Sequence, residues 1–198
     1  MVEAQDMDRR RVHLLLAAFA SLLTADAAAQ SLHVVQLSGF GFVPANQEIR
    51  VGDSVRWVWL DGIHNVESGT VAGFLGVHDG NFRSGDPTGV AGTTFTLAFT
   101  SQFLADRPMS GNVYPYYCAI HGSLGMVATI SVLLPGDVNR DGQVDLEDHV
   151  AAIECLTGPQ VTAFPPSCSP DASDFADMDG DADVDLQDLA AMQVAFTG

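Results

Sequence analysis

The chain contains no lysine; all eight of its basic residues are arginines, against 25 acids, and the formal net charge is −17. Phosphate recognition needs clustered Lys and Arg, so nucleic acid is excluded as a partner, and so is an anionic membrane surface. Long hydrophobic runs are also missing. The longest apolar stretch, 12–23 (VHLLLAAFASLL), falls short of the roughly 20 residues a bilayer-crossing helix requires. It follows Arg9-Arg10-Arg11 and precedes Ala27-Ala28-Ala29, the layout of a signal peptide spanning 1–29. Cleavage is expected after Ala29, with Ala27 as the alternative; twin-arginine export is open. After signal removal no membrane span is expected, and the protein is expected to be exported: periplasmic, cell-surface or secreted.

Cysteine is scarce too: Cys118, Cys155 and Cys168. In an oxidising compartment two can pair and one is left over, exposed to oxidation unless a metal uses it. Cys155 and Cys168 flank the segment LTGPQVTAFPPS. A disulfide closing a loop of that length is worth roughly 3 kcal/mol, and it leaves Cys118 as the free thiolate.

With hydrophobic residues at 47%, a packed core is feasible. The charge is uneven. Residues 30–135 carry seven acids and four arginines, whereas 136–198 carry fourteen acids and one arginine. This shift at Pro135-Gly136 marks a boundary between two domains, 30–135 and 136–198. The first part reads as short strands, HVVQL (33–37), EIRV (48–51), SVRWVWL (54–60), TTFTLAF (93–99), NVYPYYC (112–118) and VATISVLL (127–134). Turn-forming clusters separate them, and no sustained helical period appears. The expected fold class is mainly β, a Greek-key β-sandwich, with the glycine-rich stretch 69–92 as a long connection.

The second part holds a repeat of forty residues: 137–158 (DVNRDGQVDLEDHVAAIECLTG) aligns without gaps to 177–198 (DMDGDADVDLQDLAAMQVAFTG). Each unit is an acidic loop followed by a helix; no helix is apparent before either loop. Val150, Ile153 and Leu156 in one, and Leu189, Met192 and Phe196 in the other, are expected to form facing apolar stripes.

Two constellations carry chemistry. In YPYYCAIHGSLGM (114–126), Cys118, His121 and Met126 share one tight loop between strands, and His64 follows the strand SVRWVWL. Two imidazoles, a thiolate and a weak axial thioether suit one type 1 copper ion cycling between Cu(I) and Cu(II). His78 is the rival upstream ligand, ranked below His64 because no suitable strand precedes it. In the acidic repeat, Asp137, Asn139, Asp141, Asp145 and Asp148 occupy positions 1, 3, 5, 9 and 12 of an EF-hand-like loop; Asp177, Asp179, Asp181, Asp185 and Asp188 do so in the second. Gln143 and Asp183, at position 7, offer backbone carbonyls. Two calcium sites are expected.

Residues 31–134 resemble the plastocyanin/azurin family of cupredoxins, on FVPANQEIRVGDSVRWVW (42–59), the His64-Asn65 pair, FRSG (82–85) and the ligand loop. The resemblance implies His64, Cys118 and His121 as equatorial ligands and Met126 as the axial one. It also implies that Asn65 latches the ligand loop and that electrons leave by the exposed edge of His121, ringed by Gly122 and Leu124. A redox protein such as a cytochrome is then the expected partner. Ala128 stands where the family often has glycine, and 105–113 lengthens the approach to the ligand loop. Residues 137–198 resemble dockerin type I repeats. Ala182 replaces the glycine of the second loop's position 6, expected to weaken that site. Leu146-Glu147 and Leu186-Gln187 stand where dockerins often carry the Ser/Thr pair that grips cohesin.

The expected function is an exported blue-copper electron carrier with a calcium-stabilised C-terminal module. The alternative is an extracellular adhesion or scaffold protein whose C-terminal module docks a partner. An enzyme is not expected, since the H-x-H pairs of a trinuclear copper cluster are missing.

Overall fold

The computed structural model of the protein describes residues 30–196. The expected signal segment and its cleavage site lie outside them. Among the described residues no helix is long and apolar enough to cross a membrane.

Among the described residues nine strands form two sheets. Strands β1 (Leu32–Ser38), β2 (Gly41–Val43), β4 (Ser54–Trp59) and β7 (Thr94–Ala98) lie in the order β2-β1-β4-β7. Strands β3 (Asn46–Arg50), β5 (Glu67–Ala72), β6 (Leu75–Arg83), β8 (Val113–Tyr117) and β9 (Val127–Leu133) lie in the order β3-β9-β8-β5-β6. The β1–β4 and β3–β9 pairs are parallel. A tight turn cannot make a parallel pair, so the chain crosses between sheets, as a Greek key requires.

Alternation in sequence becomes alternation in burial. In β4, Val55, Trp57 and Trp59 point inward while Arg56 faces solvent; in β9, Ala128, Ile130 and Val132 are the buried set. Each such large apolar side chain contributes about 1.5–3 kcal/mol by leaving water. Trp57 centres the core, with ring centroids 5.4 Å from Phe95, 5.6 Å from Tyr116 and 5.7 Å from Phe82.

The stretch 69–92 is not one long connection. Its residues 69–83 supply the end of β5 and all of β6, paired antiparallel. The glycines that disguised it answer close approach: a Cβ on Gly69 would lie 2.0 Å from the Val77 carbonyl oxygen, and one on Gly76 2.2 Å from the Tyr117 ring. A short helix, α1 (Ser101–Asp106), occupies the connection after β7. It is capped by Thr100 and buries Phe103 and Leu104; six residues are too few to print a helical period.

The C-terminal part contains α2 (Leu146–Ile153), α3 (Pro170–Ala176) and α4 (Leu186–Ala195). The expected apolar stripes are corrected. Val150, Ile153 and Phe196 are each about half exposed, and Leu156 is only half-buried. The small core consists of Ala152, Cys155, Ala176, Val184 and Met192, with Leu189 packed against it. Cys155 is bonded to Cys168 and wholly buried. Residues turn about 100° per step in a helix, so with Ala152 of α2 fully buried, Val150, two residues earlier, is sent to the far side. Helix α3 also corrects the expectation that no helix precedes either loop: it ends at Ala176, immediately before Asp177.

Candidate metal centres

His64 follows β4 by way of the turn 61–63. Its backbone is held from both sides, donating to Thr88 O (3.0 Å) and accepting from Thr88 N (2.9 Å), and its carbonyl accepts from Trp59 Nε1 at 2.8 Å. Gly62 has φ +72°, and a Cβ there would stand 2.3 Å from His64 Nε2. This turn therefore needs glycine for its backbone and for the imidazole beneath it. The Asp61-Gly62 pair is a turn signal in the sequence; its role in seating the histidine is not.

Cys118 immediately follows β8 and is completely buried; it is the free cysteine among the described residues. The loop to β9 bonds to itself. Cys118 O accepts from His121 N (3.1 Å) and Gly122 N (2.7 Å), Met126 N donates to His121 O (3.2 Å), and Cys118 N donates to Met126 O (3.1 Å). Asn65 ties it down as expected, its Oδ1 accepting from Ala119 N at 2.7 Å.

These constraints bring together His64 Nδ1, His121 Nδ1 and Cys118 Sγ. The nitrogens are 3.2 Å apart, and the sulfur is 3.9 Å from one and 3.7 Å from the other. Met126, wholly buried, follows on the same loop. Burial, then the neighbouring His121, pushes the His64 imidazole below its ordinary range, favouring the neutral form a metal takes. Two imidazole nitrogens and a thiolate sulfur converging in a buried spot fit a copper ion by donor chemistry.

The rival histidine lies elsewhere. His78, on β6, pairs its Nδ1 with Ser68 O at 3.0 Å and stands 3.6 Å from Glu67. Gly122 does not ring the exit: it is buried against Val71 and Tyr117. Leu124 is exposed as expected, and Phe40, which no periodicity singled out, packs its ring edge on His121 with centroids 4.8 Å apart.

The two acidic loops are wound alike. Asp137 accepts from Asp141 N and Gly142 N, and Asp177 accepts from Gly180 N and Ala182 N. Asp148 bridges its loop, accepting from Asn139 N and Asp145 N; Asp188 does the same with Met178 N and Asp185 N. Asp145 and Asp185 cap α2 and α4. Gln143 N donates to Asp141 Oδ1, which turns the position-7 backbone as an EF-hand-like loop demands. Two groups of carboxylate oxygens, Asp177/Asp179/Asp188 and Asp183/Asp185/Asp188, each gather within 4.8 Å. Asp183, expected to offer only its carbonyl, also turns its carboxylate inward: it is 1% exposed, and its Oδ1 is buried without a partner. Burial, with Asp188, Asp181 and Asp177 adding like charge, holds Asp179 above the usual carboxylate range; burial likewise raises Asp137, with Asp148 and Asp141 contributing. The orphaned oxygen and the crowded carboxylates fit a hard cation such as Ca²⁺.

A family model for copper binding proteins of the plastocyanin/azurin family matches residues 29–133, and one for the dockerin type I domain matches 135–196. Among solved structures, the chain is similar to a reduced amicyanin mutant, at 25% identity over 55% of this chain and 89% of that one, with a TM-score of 0.36. A purple cupredoxin from Nitrosopumilus maritimus matches at 25% identity over 52% of this chain and 100% of that one, TM-score 0.39. A copper-containing nitrite reductase from Thermus scotoductus matches at 26% identity over 51% of this chain and 22% of that one, TM-score 0.36. No curated protein matches the chain.

Proposed function

The chain belongs, through residues 29–133, to the copper-binding proteins of the plastocyanin/azurin family, and on that footing we propose that it is an exported carrier of single electrons. His64, Cys118 and His121, with Met126 from the same loop, would hold one copper ion, which would supply the one-electron redox couple. The observation that carries this is the convergence of His64 Nδ1, His121 Nδ1 and Cys118 Sγ in a buried, cross-braced spot. Backbone bonds to Thr88, Trp59 and Asn65 hold the donors whether or not the charge on the metal changes. A scaffold that moves little on oxidation keeps the cost of electron transfer low, because the environment need not reorganise. The edge of His121 is the exit, and a redox protein such as a cytochrome is the partner there.

Residues 136–198 act as a calcium-stabilised module. One ion is held by Asp137, Asn139, Asp141, Asp145, Asp148 and the Gln143 carbonyl. The other is held by Asp177, Asp179, Asp181, Asp183, Asp185 and Asp188. Residues 1–29 direct export to the periplasm, cell surface or exterior.

Adding Cu(II) to the purified copper-free chain tests the electron-carrier proposal. An intense visible thiolate-to-copper band is expected, and Cys118→Ser should abolish it. A colourless protein that holds copper only weakly would defeat the proposal.

A second role, docking of a protein partner, draws on one observation. Leu146, Val150 and Phe196 are exposed and line one shallow surface depression beside the first loop, a contiguous apolar patch of the kind that marks contact sites. Redox cycling with a cytochrome, against calcium-dependent capture of a partner by the full chain, separates the two.

A further inference from the structure

Strands β8 and β9 pair antiparallel from Val113↔Ser131 to Tyr117↔Val127. One end of this hairpin is the loop carrying Cys118, His121 and Met126. The other end meets the first acidic loop twice. By covalent continuity, β9 runs through 134–136 into Asp137, whose N–H donates to Leu134 O at 3.2 Å. Across space, the turn entering β8 is clamped to the same loop, with Asn112 Nδ2 donating to Gly142 O at 2.9 Å. The fit is tight. A Cβ on Gly142 would stand 2.6 Å from Gly111 Cα and 2.7 Å from its carbonyl carbon, and Gly142 has φ +91°. The glycine at position 6 thus serves two demands, the sharp turn of the loop and contact with the neighbouring backbone. Asn112 itself sits at φ +48° and is 8% exposed.

A second contact braces β3, the strand beside β9. Phe175, 2% exposed, lies between the guanidinium groups of Arg50 (5.6 Å) and Arg140 (4.8 Å). Arg50 pairs with Asp174, and Arg140 with Asp171 at 3.5 Å. Gly136 N donates to Phe175 O at 3.0 Å. These contacts place one arginine of the β-sandwich and one of the first acidic loop on the same ring. The second loop bonds instead to Thr157 and Gln160, in the connection between the repeats.

We infer that the first acidic loop is a brace for the copper domain: a calcium ion bound there stabilises the β8–β9 hairpin from the end opposite the copper ligands. This rests on the calcium and copper assignments proposed above. The physical reason is linkage. A ligand that binds an ordered loop stabilises whatever must stay folded to keep that loop ordered. The base of the hairpin is held by Gly142 and Asp137, so it belongs to that unit. Calcium in the second loop, which among the described residues has no bond to the hairpin and reaches the sandwich through α3, has the smaller effect.

The two tryptophans make the test direct, since Trp57 and Trp59 both lie in β4 and the C-terminal part has none. Thermal unfolding of the full, copper-free chain is followed by tryptophan emission, for the sandwich, and by far-UV dichroism, for the helices. Saturating calcium is expected to raise the tryptophan midpoint by ~5 °C. The rise should mostly persist in Asp177→Asn and mostly vanish in Asp137→Asn. Asn112→Gly keeps the left-handed backbone and removes only the amide. It should shrink the tryptophan shift while the helices still respond to calcium. If calcium stabilises the helices and leaves the tryptophan midpoint where it was, the brace is overturned and the calcium sites stand. If neither signal responds, the calcium assignment falls and takes the brace with it.

Discussion

The ring of Phe40 meets the imidazole of His121 edge to face, with centroids 4.8 Å apart and planes at 79°. The contact is held from behind. Phe40 sits in the β1–β2 turn, where Gly39 N and Ser38 Oγ donate to the two carboxylate oxygens of Asp61, each at 2.7 Å. These two donors, the Gly39 N–H before the Ser38 hydroxyl, draw the Asp61 carboxyl below its usual range. Asp61 is also the residue before Gly62, which lies over His64. One turn therefore touches one candidate ligand and supports the aromatic that touches the other.

Phe40→Ala should loosen His121. An aromatic pair of this kind is worth about 0.5–1.5 kcal/mol, so copper should pass to a chelator roughly 2–10-fold faster, read as decay of the visible band. Asp61→Asn should move the rate in the same direction and add little on top of Phe40→Ala. Unchanged release in both variants would show the contact to be idle.

Gly62→Ala should damage the copper site more than the fold. The methyl group cannot coexist with the present position of His64 Nε2, so the imidazole must move. The visible band should weaken or shift while the copper-free thermal midpoint falls by only a few degrees. A wild-type spectrum would mean that the turn relaxes without disturbing His64.

Asp53 makes part of the stability of the sandwich pH-dependent. Burial works to raise its carboxyl, but Ser31 N–H, His33 and Arg50 N–H outweigh it, and the result lies below the ordinary value of 3.8. His33 Nε2 is 2.8 Å away. A folded-state value below the unfolded one means the stabilisation is complete above the unfolded value and drains away as pH falls through the folded one. Asp53→Asn should therefore cost about 1–3 kcal/mol at neutral pH. The gap from wild type should begin to close below about pH 4 and narrow further with acid, measured by denaturant unfolding followed through tryptophan emission. A gap that stays constant from neutral pH down to the acid-unfolding limit would count against an ionised Asp53.

Ala182→Gly should strengthen the second acidic loop. Ala182 adopts φ +71°, which costs a residue with a Cβ ~1 kcal/mol. Calcium titration calorimetry should show an affinity gain of about 5-fold at that loop. Equal or weaker binding would place the strain elsewhere.

Much of this was legible in the residues. Alternation in SVRWVWL announced β4, and the spacing of Cys118, His121 and Met126 announced their common loop, because local chain geometry alone brings them together. The spacing Asp-x-Asn-x-Asp in one loop and Asp-x-Asp-x-Asp in the other announced both loop windings, down to the positive φ at Ala182. What stayed hidden depends on distant neighbours. Gly69 and Gly76 read as loop formers, yet they sit in strands because Val77 and Tyr117 leave no room for a side chain. Val150 and Ile153 lie at helical spacing, but the face of α2 that turns inward is that of Ala152, which packs with Ala176, Val184 and Met192 from distant segments. Phe40 carries no signal at all, since only the pairing of β1 with β2 and the reach of Asp61 bring it to His121.

Of the four candidate copper ligands, His64, Cys118 and Met126 are fully enclosed, and His121 alone is partly open to solvent. Among the described residues the side of the site open to solvent is therefore that of His121, where Phe40 packs. On the proposed electron-carrier reading, the edge by which electrons would leave is also the side by which an ion would escape. A partner seated there to accept an electron would then also bar the ion's way out, so docking would protect the metal in the state where it is used.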